Sequence, residues 1–425
     1  MENNKTVCVI GLGYVGLPLA VRCAEKGYRV LGLERDEKKV ELINQGKSPI
    51  EEKFLEENLP KFKVEATTDE KVVSQADIVL ICVPTPVNKN YTPDLSPVIG
   101  ATELTAKNLK KGALVVLEST VNPGVSEDVI APIFEKAGIK VSEDVFIAHC
   151  PERINPGDPK WNVTNLPRVV GSFDGKGLAM AKEFYESIVD ADIHPMKSIR
   201  EAEAVKIMEN SFRDINIAFV NELAKSFAKL DIDIKDVIEG ASTKFSFMPH
   251  FPSCGVGGHC IPVDPYYMIE HAKNKAGFEH KFLSLAREIN NSMPNYTVEL
   301  LQDALNEVEI PLKGAKVTLL GISYKANVDD VRESPALEIQ ELLEEAGADL
   351  KVFDPHILDK SNVKSLEEAL DGAQAVLLAT DHNEFKDINA ETFSKAGVKV
   401  VIDGKNCLDR DKIKESGMIF KGIGR

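Results

Sequence analysis

Three features are scarce or missing in this sequence: an excess of positive charge, a long uninterrupted apolar run and paired cysteines. The formal net charge is −16 over 425 residues, which argues against nucleic acid or an anionic membrane surface as a partner. The apolar stretch from Val7 to Ala24 is interrupted by glycines, a proline and Arg22, so it resembles neither a membrane span nor a signal peptide. We therefore expect a cytoplasmic protein.

The cysteines also exclude a class of protein. Seven of them are scattered along the chain, and no Cys-x-x-Cys pair occurs. A disulfide framework is not expected from this usage in a large intracellular chain. The length predicts two or three domains, and no short repeat or low-complexity segment occurs.

Strands and helices alternate in the first half of the chain. Short apolar runs predict five strands, at Val7–Ile10, Val30–Leu33, Ile78–Val83, Leu114–Leu117 and Val145–Ala148. A helix is predicted over Tyr14–Lys26. This alternation indicates a parallel, doubly wound sheet. Such sheets bind ligands at the carboxyl ends of their strands, where Pro84 and Pro86 follow the third run.

The pattern changes in the middle and then returns. Apolar side chains at three- and four-residue spacing predict a long amphipathic helix from Arg200 to Leu230, with more helix around Ile234–Glu239 and from Phe282 into Asn306. Four further strands are predicted at Val317–Leu320, Lys351–Phe353, Ala375–Leu378 and Val400–Ile402. We therefore expect an α/β protein with two Rossmann-like doubly wound domains, 1–199 and 313–425, joined by a central helical domain, 200–312, with a long spine helix.

A glycine loop follows the first predicted strand. In Gly11-Leu12-Gly13-Tyr14-Val15-Gly16, Gly11 permits a tight turn, Gly13 allows backbone to approach a pyrophosphate, and Gly16 allows close packing of helix on strand. Glu34 ends the second strand, where a carboxylate can bind ribose hydroxyls and repel a 2′-phosphate. The pattern predicts NAD rather than NADP, although Arg35 weakens that preference, and a glycine turn without a dinucleotide is the alternative.

A second glycine-rich segment carries a thiol. Cys260 lies in Gly257-Gly258-His259-Cys260-Ile261-Pro262-Val263-Asp264-Pro265, a composition that favours an exposed bend. A thiolate there can act as a nucleophile, and Asp264 can orient a water or an ammonium group. Two alternatives remain open at this point: a structural cysteine, and a metal site built from His250, Cys254, His259 and Cys260, in which adjacent residues would reach one ion awkwardly.

Lys206 and Asn210 are four residues apart on the predicted long helix, so they share one face. A partly desolvated lysine beside an amide can stabilise an oxyanion that develops next to the thiol. The alternative is that both side chains simply face water.

Seven segments, in order, resemble the UDP-glucose/GDP-mannose dehydrogenase family, whose members oxidise a sugar C6 alcohol to a carboxylate with NAD. The segments are GLGYVGLPLA, ICVPTP, ESTVNPG, CPERINPGD, EAVKIMEN, GVGGHCIPVDPYY and GISYKANVDDVRESPA. PERINPGD, DINIAFVNELA and GGHCIPVDPYY, together with Arg153 after Glu152, resemble the branch that acts on UDP-N-acetylhexosamines.

The resemblance implies roles for specific residues. The catalytic set would be Cys260 as nucleophile, Asp264 positioning base or water, Lys206 and Asn210 stabilising oxyanions, Thr120 holding water and Glu152 as general base for thioester hydrolysis. The cofactor-binding set would be Gly11, Gly13, Tyr14, Val15, Gly16, Glu34, Arg35, Pro84, Thr85, Thr120 and Arg332. The substrate-binding set would be Arg153, Lys206, Asn210, Lys244, Gly257, Tyr324, Lys325 and Lys405, and no metal is expected.

The sequence also departs from the family. Ser253-Cys254 stand where relatives usually have Gly-Pro, so Cys254 could pair with Cys260 or change the stiffness of the loop. Lys405 replaces a common arginine and so lacks bidentate geometry. Lys244 occupies a region where relatives reach across a dimer with a basic residue.

The resemblance implies a four-electron oxidation of a UDP-N-acetylhexosamine for polysaccharide or glycan precursor synthesis, through a thiohemiacetal and a thioester at Cys260, with two NAD per sugar. The alternatives are a UDP-glucose 6-dehydrogenase, a two-electron β-hydroxyacid dehydrogenase, and a non-catalytic NAD-binding redox or metal sensor. We also expect a homodimer through the long helix, because Phe212, Ile215, Ile217, Phe219 and Val220 make it strongly apolar; burial within one subunit would explain the same pattern.

Overall fold

The computed structural model describes residues 5–50, 52–88, 92–154 and 160–425, so Asn155–Asp158 of the CPERINPGD segment lie outside the described residues. The chain forms two compact units, one of Met1–Glu209 with Tyr266–Ala276, the other of Asn210–Pro265 with Gly277–Arg425. Each unit is built on one sheet. The finer division into three domains stays a prediction.

Eight strands form the sheet of the first unit: β1 (Thr6–Ile10), β2 (Arg29–Leu33), β3 (Glu65–Thr67), β4 (Ile78–Ile81), β5 (Ala113–Leu117), β6 (Val145–His149), β7 (Arg168–Ser172) and β8 (Ile193–Pro195). Their order is β3-β2-β1-β4-β5-β6-β7-β8. β6 and β7 are antiparallel, and the other neighbours are parallel. Strands β2 and β3 lie on one side of β1, and β4 to β8 lie on the other side. The strand order therefore changes direction between β1 and β4, and such sheets bind ligands at this switch point.

The central strands β4 and β5 of this sheet are apolar and buried at every residue, because both faces of the sheet are covered. Successive residues of β1 enter different cores: Val7 and Val9 join one, and Cys8 and Ile10 join the other, as the two-residue period of a strand requires. The covering helices are α1 (Gly16–Glu25), α2 (Glu37–Asn44), α3 (Lys53–Asn58), α4 (Ser96–Asn108), α5 (Ala131–Lys136) and α6 (Gly175–Ile188), with a 3₁₀ turn at Glu70–Gln75 and a π-helical turn at Ser126–Ile130.

The predicted long helix is α7 (Ile199–Lys229). Three of its large apolar side chains are exposed, Met208 by 75%, Phe212 by 47% and Phe219 by 53%, whereas Ile207 and Val220 are buried. Buried polar residues also repeat along the helix at helical spacing: Glu203, Lys206, Asn210, Asp214 and Asn221. The alternative that Lys206 and Asn210 face water is therefore wrong. Burial within one subunit accounts for Val220, which is 4% exposed, but not for Phe212 and Phe219.

Four more helices follow α7: α8 (Ile234–Ser242), α9 (Asp264–Ala276), α10 (Lys281–Asn291) and α11 (Met293–Glu307). The helical stretch predicted from Phe282 into Asn306 is thus two helices. Pro294 lies in the first turn of α11, where its missing N–H is tolerated, whereas it would remove a bond inside a continuous helix.

The second unit carries a five-stranded parallel sheet of β9 (Lys316–Leu320), β10 (Asp349–Phe353), β11 (Ala375–Leu378), β12 (Val400–Asp403) and β13 (Ile419–Gly422). The order is β10-β9-β11-β12-β13, and the edge strand β13 was not predicted. The helices around it are α12 (Pro335–Glu345), α13 (Leu366–Leu370), α14 (Asn383–Lys386), α15 (Ala390–Lys395) and α16 (Arg410–Glu415). The predicted fold class is confirmed. Among the described helices, none is both long and apolar enough to cross a bilayer.

Candidate active site

The glycine loop between β1 and α1 has the close packing that its sequence predicts. Gly11 adopts φ +91°, and a Cβ there would lie 2.8 Å from the carbonyl oxygen of Cys82. A Cβ on Gly16 would lie 1.9 Å from the oxygen of Gly11, so only glycine lets α1 approach the strand. A Cβ on Gly13 would meet nothing within 4 Å. The loop therefore leaves space at Gly13, where the phosphates of a dinucleotide are expected to lie.

Glu34 follows β2 beside this loop. Its Oε2 accepts a hydrogen bond from the backbone N–H of Leu12 at 3.1 Å, and its Oε1 accepts from Arg35 N at 2.8 Å and Asp36 N at 3.3 Å. The half-buried carboxylate keeps one lone-pair site for a ribose hydroxyl, while the Arg35 side chain is exposed. The acid, and not the arginine, is held against the loop.

Two other predicted cofactor-binding segments leave the same edge of the sheet. Pro84 and Thr85 follow β4, and the carbonyl oxygen of Thr85 accepts a hydrogen bond from the Tyr267 hydroxyl at 2.5 Å. Tyr14 and Val15 are half-buried beside the glycines. Arg332 belongs to the second unit, where its guanidinium pairs with Asp330 at 2.5 Å; its predicted contact with NAD stays a prediction.

Thr120 lies on the loop after β5, and a buried carboxylate from α7 holds the far end of that loop. Glu203, which is fully buried, accepts backbone N–H groups from Gly124 at 2.5 Å and Ser126 at 2.8 Å. Burial raises the pKa of Glu203, although these hydrogen bonds oppose the shift. The sequence analysis missed Glu203. Its helical spacing to Lys206 and Asn210 was the signal that could have found it.

Glu152, the predicted general base, is 6% exposed and fully oriented. Its Oε1 accepts the two following backbone N–H groups at 2.6 and 2.7 Å, and its Oε2 accepts from Arg168 at 2.7 Å. Arg168 also pairs with the buried Glu118 at 3.1 Å, and the Tyr185 hydroxyl donates to Glu118. Burial raises the pKa of Glu118, Arg168 opposes this, and Glu152 adds to it.

This arrangement leaves Glu152 one free lone-pair site for a water. The neighbouring Arg153, a predicted substrate-binding residue, is half-buried and pairs through two nitrogens with Glu209 of α7, at 2.5 and 3.0 Å. No local sequence pattern identified Glu118 or Arg168 as functional. Glu118 directly follows the apolar strand β5, and Arg168 is the first residue of β7.

Asn210 and Asp264 are brought together in the second unit. The Asn210 amide donates to Asp264 Oδ2 at 2.5 Å, and Asn210 Oδ1 accepts from Arg213. Asn210 is 2% exposed and Asp264 2%. Lys206, one turn earlier on α7, is 7% exposed, so its ammonium group is largely removed from bulk water.

Cys260 lies one turn before Asp264. Its carbonyl oxygen accepts from Val263 N at 3.1 Å and from Asp264 N at 2.8 Å, so the thiol stands at the turn that leads into α9. The Cys260 side chain is half-buried and forms no disulfide bond. Accessibility of this kind is what a nucleophilic cysteine needs.

The glycines before Cys260 pack on the loop after β9. Gly258 has φ +91°, its N–H donates to Arg332 O at 3.0 Å, and a Cβ there would lie 2.8 Å from the Tyr324 ring. A Cβ on Gly257 would lie 2.8 Å from both Glu333 O and Tyr324 Cβ. The cysteine loop and the segment of Tyr324 and Lys325 therefore form one packed surface.

The start of the cysteine loop is anchored by the polar face of α7. Ser253 N donates to Asn221 Oδ1 at 3.0 Å, and Asn221 donates to Asn290 at 2.9 Å. Cys254 is fully buried, and its Sγ donates to Ala379 O at 3.4 Å. Burial raises the pKa of Cys254, against the effect of Lys405, so this thiol has the character of a core side chain.

The remaining predicted substrate residues are less constrained. Lys244 is exposed in the turn after α8, and Lys405 is half-buried after β12. Within the described residues, His250, Cys254, His259 and Cys260 form no group that could hold one ion; such a group is formed by His356, His382 and Glu384.

Comparisons with known proteins agree with this geometry. Three family models match the chain in order: the UDP-glucose/GDP-mannose dehydrogenase family NAD binding domain over 5–189, its central domain over 200–292 and its UDP binding domain over 318–410. The resemblance inferred from the sequence is confirmed, and so is NAD as the cofactor.

Individual relatives match along nearly their whole length. A UDP-N-acetyl-D-mannosamine dehydrogenase of Pyrococcus horikoshii is 36% identical over 424 residues, 99% of each chain. A UDP-N-acetyl-D-glucosamine 6-dehydrogenase of Pseudomonas aeruginosa is 36% identical over 421 residues, 97% of this chain and 99% of the relative. The solved structure of a UDP-D-ManNAc dehydrogenase from Pyrococcus horikoshii superimposes with a TM-score of 0.93 at 35% identity, covering 99% of each chain.

Proposed function

Because the chain belongs to the UDP-glucose/GDP-mannose dehydrogenase family, we propose that it oxidises the C6 hydroxyl of a UDP-N-acetylhexosamine to the uronic acid with two NAD per sugar. The substrate class rests on the names of the relatives at 36% identity. The observation that carries the proposal is the half-buried Cys260 thiol one turn before the hydrogen-bonded pair of Asp264 and Asn210.

The first unit fits the cofactor. Space at Gly13 and the tightly packed Gly11 and Gly16 suit a pyrophosphate above the N-terminus of α1. Glu34 is oriented beside the loop for the ribose. Held by these residues, NAD would supply the hydride acceptor for both oxidations of the sugar carbon.

Asp264 and Lys206 hold the water that takes the C6 hydroxyl proton in the first oxidation. Cys260 then adds its sulfur to the aldehyde carbon and forms a thiohemiacetal. Lys206 supplies positive charge to the alkoxide, and Asn210 supplies an amide N–H, since only one of its two amide hydrogens is used by Asp264. Covalent capture keeps the aldehyde from escaping.

The second oxidation leaves a thioester on Cys260. Thr120 positions a water, and Glu152, held in place by Arg168, accepts its proton as the water attacks the thioester carbon. The carbon–sulfur bond breaks, and Cys260 leaves as the thiolate with release of the acid. Tyr324, Lys325, Gly257 and Lys405 of the second unit bind the nucleotide-sugar, with Arg153 and Lys244 as further contacts and Arg332 toward NAD.

We also propose a cytoplasmic homodimer formed through α7. Phe212 and Phe219 lie seven residues apart on α7 and are about half exposed; exposed apolar surface on one helix face marks an association surface. None of the seven cysteines, all of which lie in the described part of the chain, forms a disulfide bond, as expected in a reducing compartment. Sedimentation equilibrium at micromolar protein should give twice the chain mass, and a monomer would contradict the dimer.

The decisive test of function is the Cys260→Ser variant. Removal of the nucleophile should lower production of the acid roughly a thousandfold or more, while Cys407→Ser, a half-buried thiol elsewhere in the second unit, should behave as wild type. NADH and acid are measured with UDP-N-acetylglucosamine, UDP-N-acetylmannosamine, UDP-N-acetylgalactosamine and UDP-glucose. Two NADH per sugar are expected. One NADH per sugar, or full activity of Cys260→Ser, would contradict the mechanism and favour a two-electron dehydrogenase.

A further inference from the structure

A buried polar cluster lies at the carboxyl edge of the second sheet, and the proposed chemistry leaves it without a role. Ser323 follows β9, Asp354 follows β10, and Thr380 and His382 follow β11, so three adjacent strands contribute. Ser323 is 1% exposed and the other three are fully buried. Polar groups this deep are costly unless each is hydrogen-bonded, and here Asp354, Thr380 and His382 each bond to the segment 321–327.

The hydrogen bonds fix the tautomer of His382. Its Nδ1 lies 2.9 Å from the backbone nitrogen of Asn327, which can only donate, so Nδ1 carries no proton. The proton is therefore on Nε2, which lies 3.0 Å from both Asp354 Oδ2 and Ser323 Oγ. Ser323 Oγ donates its own hydrogen to Lys325 O at 3.0 Å. The imidazole thus links the segment at two points.

Asp354 holds the same segment from the other side. Its Oδ2 accepts from Ile322 N at 2.7 Å and from Ser323 N at 3.0 Å. Burial would raise the pKa of Asp354, but these bonds and the one from His382 outweigh it and lower the pKa to about 2. Thr380 adds a hydrogen bond from its hydroxyl to Ser323 O at 2.6 Å. The backbone from Ile322 to Asn327 is therefore held by side chains that follow β10 and β11, the strands on either side of β9.

Glu34 shows what is particular about Asp354. Both acids follow the strand that pairs beside the first strand of their sheet, since β2 pairs with β1 and β10 with β9. Glu34 is half-buried and keeps one lone-pair site, whereas Asp354 is fully buried and accepts hydrogen bonds from the loop after β9. In the second sheet the acid therefore shapes the loop and cannot itself bind a ligand hydroxyl.

We propose that His382 and Asp354 are positioning residues that fix the loop of Tyr324 and Lys325 for the nucleotide part of the substrate. This inference rests on the proposed function for what Tyr324 and Lys325 bind. Because the Tyr324 ring packs on Gly258, the same loop also supports the cysteine segment. The pair is thus placed to affect UDP affinity first and turnover second.

The grouping of His382 with His356 and Glu384 does not make a metal site by itself. Both nitrogens of His382 are already hydrogen-bonded within the protein. His356 stacks on His382 at 4.6 Å between ring centroids, and its Nε2 lies 3.4 Å from Glu384. Replacing His356 therefore leaves every hydrogen bond of His382 in place, which makes it a matched control.

The test measures the affinity of the full-length protein for UDP and for NADH by calorimetry, with kcat, KM and thermal unfolding. His382→Ala should weaken UDP binding about tenfold to a hundredfold, the loss expected when buried hydrogen-bonding groups lose their partner. KM for the UDP-sugar should rise more than kcat falls, and NADH affinity should not change. His356→Phe should match wild type.

Two conservative variants separate the two hydrogen bonds. His382→Asn can keep an acceptor near Nδ1 for Asn327 N, and His382→Gln can keep a donor near Nε2 for Asp354. Each should restore part of the UDP affinity lost in His382→Ala. If His382→Ala does not fold, this pair and Asp354→Asn still give the result, because each should bind UDP more weakly than wild type.

The outcomes distinguish this inference from the proposed function. Weaker UDP binding in the His382 variants supports it even if no UDP-sugar is oxidised. Wild-type UDP affinity in the variants overturns it, even if a UDP-sugar is oxidised with two NADH, and loss of thermal stability alone points to a purely structural role. Stoichiometric zinc that disappears in His356→Phe would overturn it too, because His382 would then be a ligand.

Discussion

Arg168 stands between two buried carboxylates, so its removal gives a sharp prediction. Glu118, Glu152 and Arg168 are at most 6% exposed, and Arg168 is within 3.1 Å of both acids. In Arg168→Met the two acids would face each other without a positive charge. Breaking a buried ion pair by removing one partner costs about 3–5 kcal/mol, equivalent to a fall of roughly 10 °C in the unfolding temperature of a unit this size.

The effect should depend on pH with a definite sign. Burial already raises the pKa of Glu118 above its ordinary 4.5 in the folded protein, and loss of Arg168 would raise it further. The folded state would then bind more protons than the unfolded state, so stability falls as pH rises above about 4.5. Arg168→Met should therefore be least stable near pH 8 and recover toward pH 5, where Glu118 takes up a proton.

Glu118→Gln is the matched control. It leaves Arg168 paired with Glu152 alone, keeps an acceptor for Tyr185, and should change the free energy of unfolding by only about 1 kcal/mol. Urea denaturation followed by circular dichroism at both pH values measures each effect, and the double variant gives the coupling. Equal stability of Arg168→Met and Glu118→Gln at pH 8 would show that Arg168 is not needed to neutralise the two buried carboxylates.

Two further predictions follow from close packing and loop anchoring. Gly16→Ala should abolish NADH binding or destabilise the first unit, because its Cβ would lie 1.9 Å from Gly11 O, whereas Gly175→Ala, with nothing within 4 Å of its Cβ, should be neutral; equal NADH affinity and stability in both variants would contradict this. In Glu203→Gln, an amide N–H would face one of the two backbone N–H groups from which Glu203 accepts hydrogen bonds. The free energy of unfolding should fall by about 1–3 kcal/mol, and kcat should fall because Thr120 is displaced. An unchanged kcat would show that the loop does not need this anchor.

The two glycine segments were predicted from local sequence because their requirements are local. Gly11 and Gly16 are needed where a turn and a helix approach a strand, and that demand is met within one strand–loop–helix unit. The apolar runs likewise predicted the central strands, since a strand covered on both faces has no polar positions. Short edge strands such as β3 and β13 were missed, because a strand of three or four residues with one exposed side carries little apolar pattern.

Roles that depend on distant partners were harder to predict. Arg168 begins a strand, and its two acids lie 50 and 16 residues earlier in the chain. His382 lies 55 residues after the backbone N–H that sets its tautomer. No spacing rule connects such residues, because the distance between them is set by how strands are ordered in the sheet.

The sequence by itself determined the two nucleotide-binding-like halves, the glycine loop and the cysteine in its bend, since each is encoded by neighbouring residues. Only the tertiary structure decided which face of α7 is buried. Its apolar stripe at Phe212 and Phe219 is exposed, and its polar stripe from Glu203 to Asn221 is buried. The physical reason is that a polar side chain can be buried once folding supplies its hydrogen-bond partners, and those partners come from loops and helices far away along the chain.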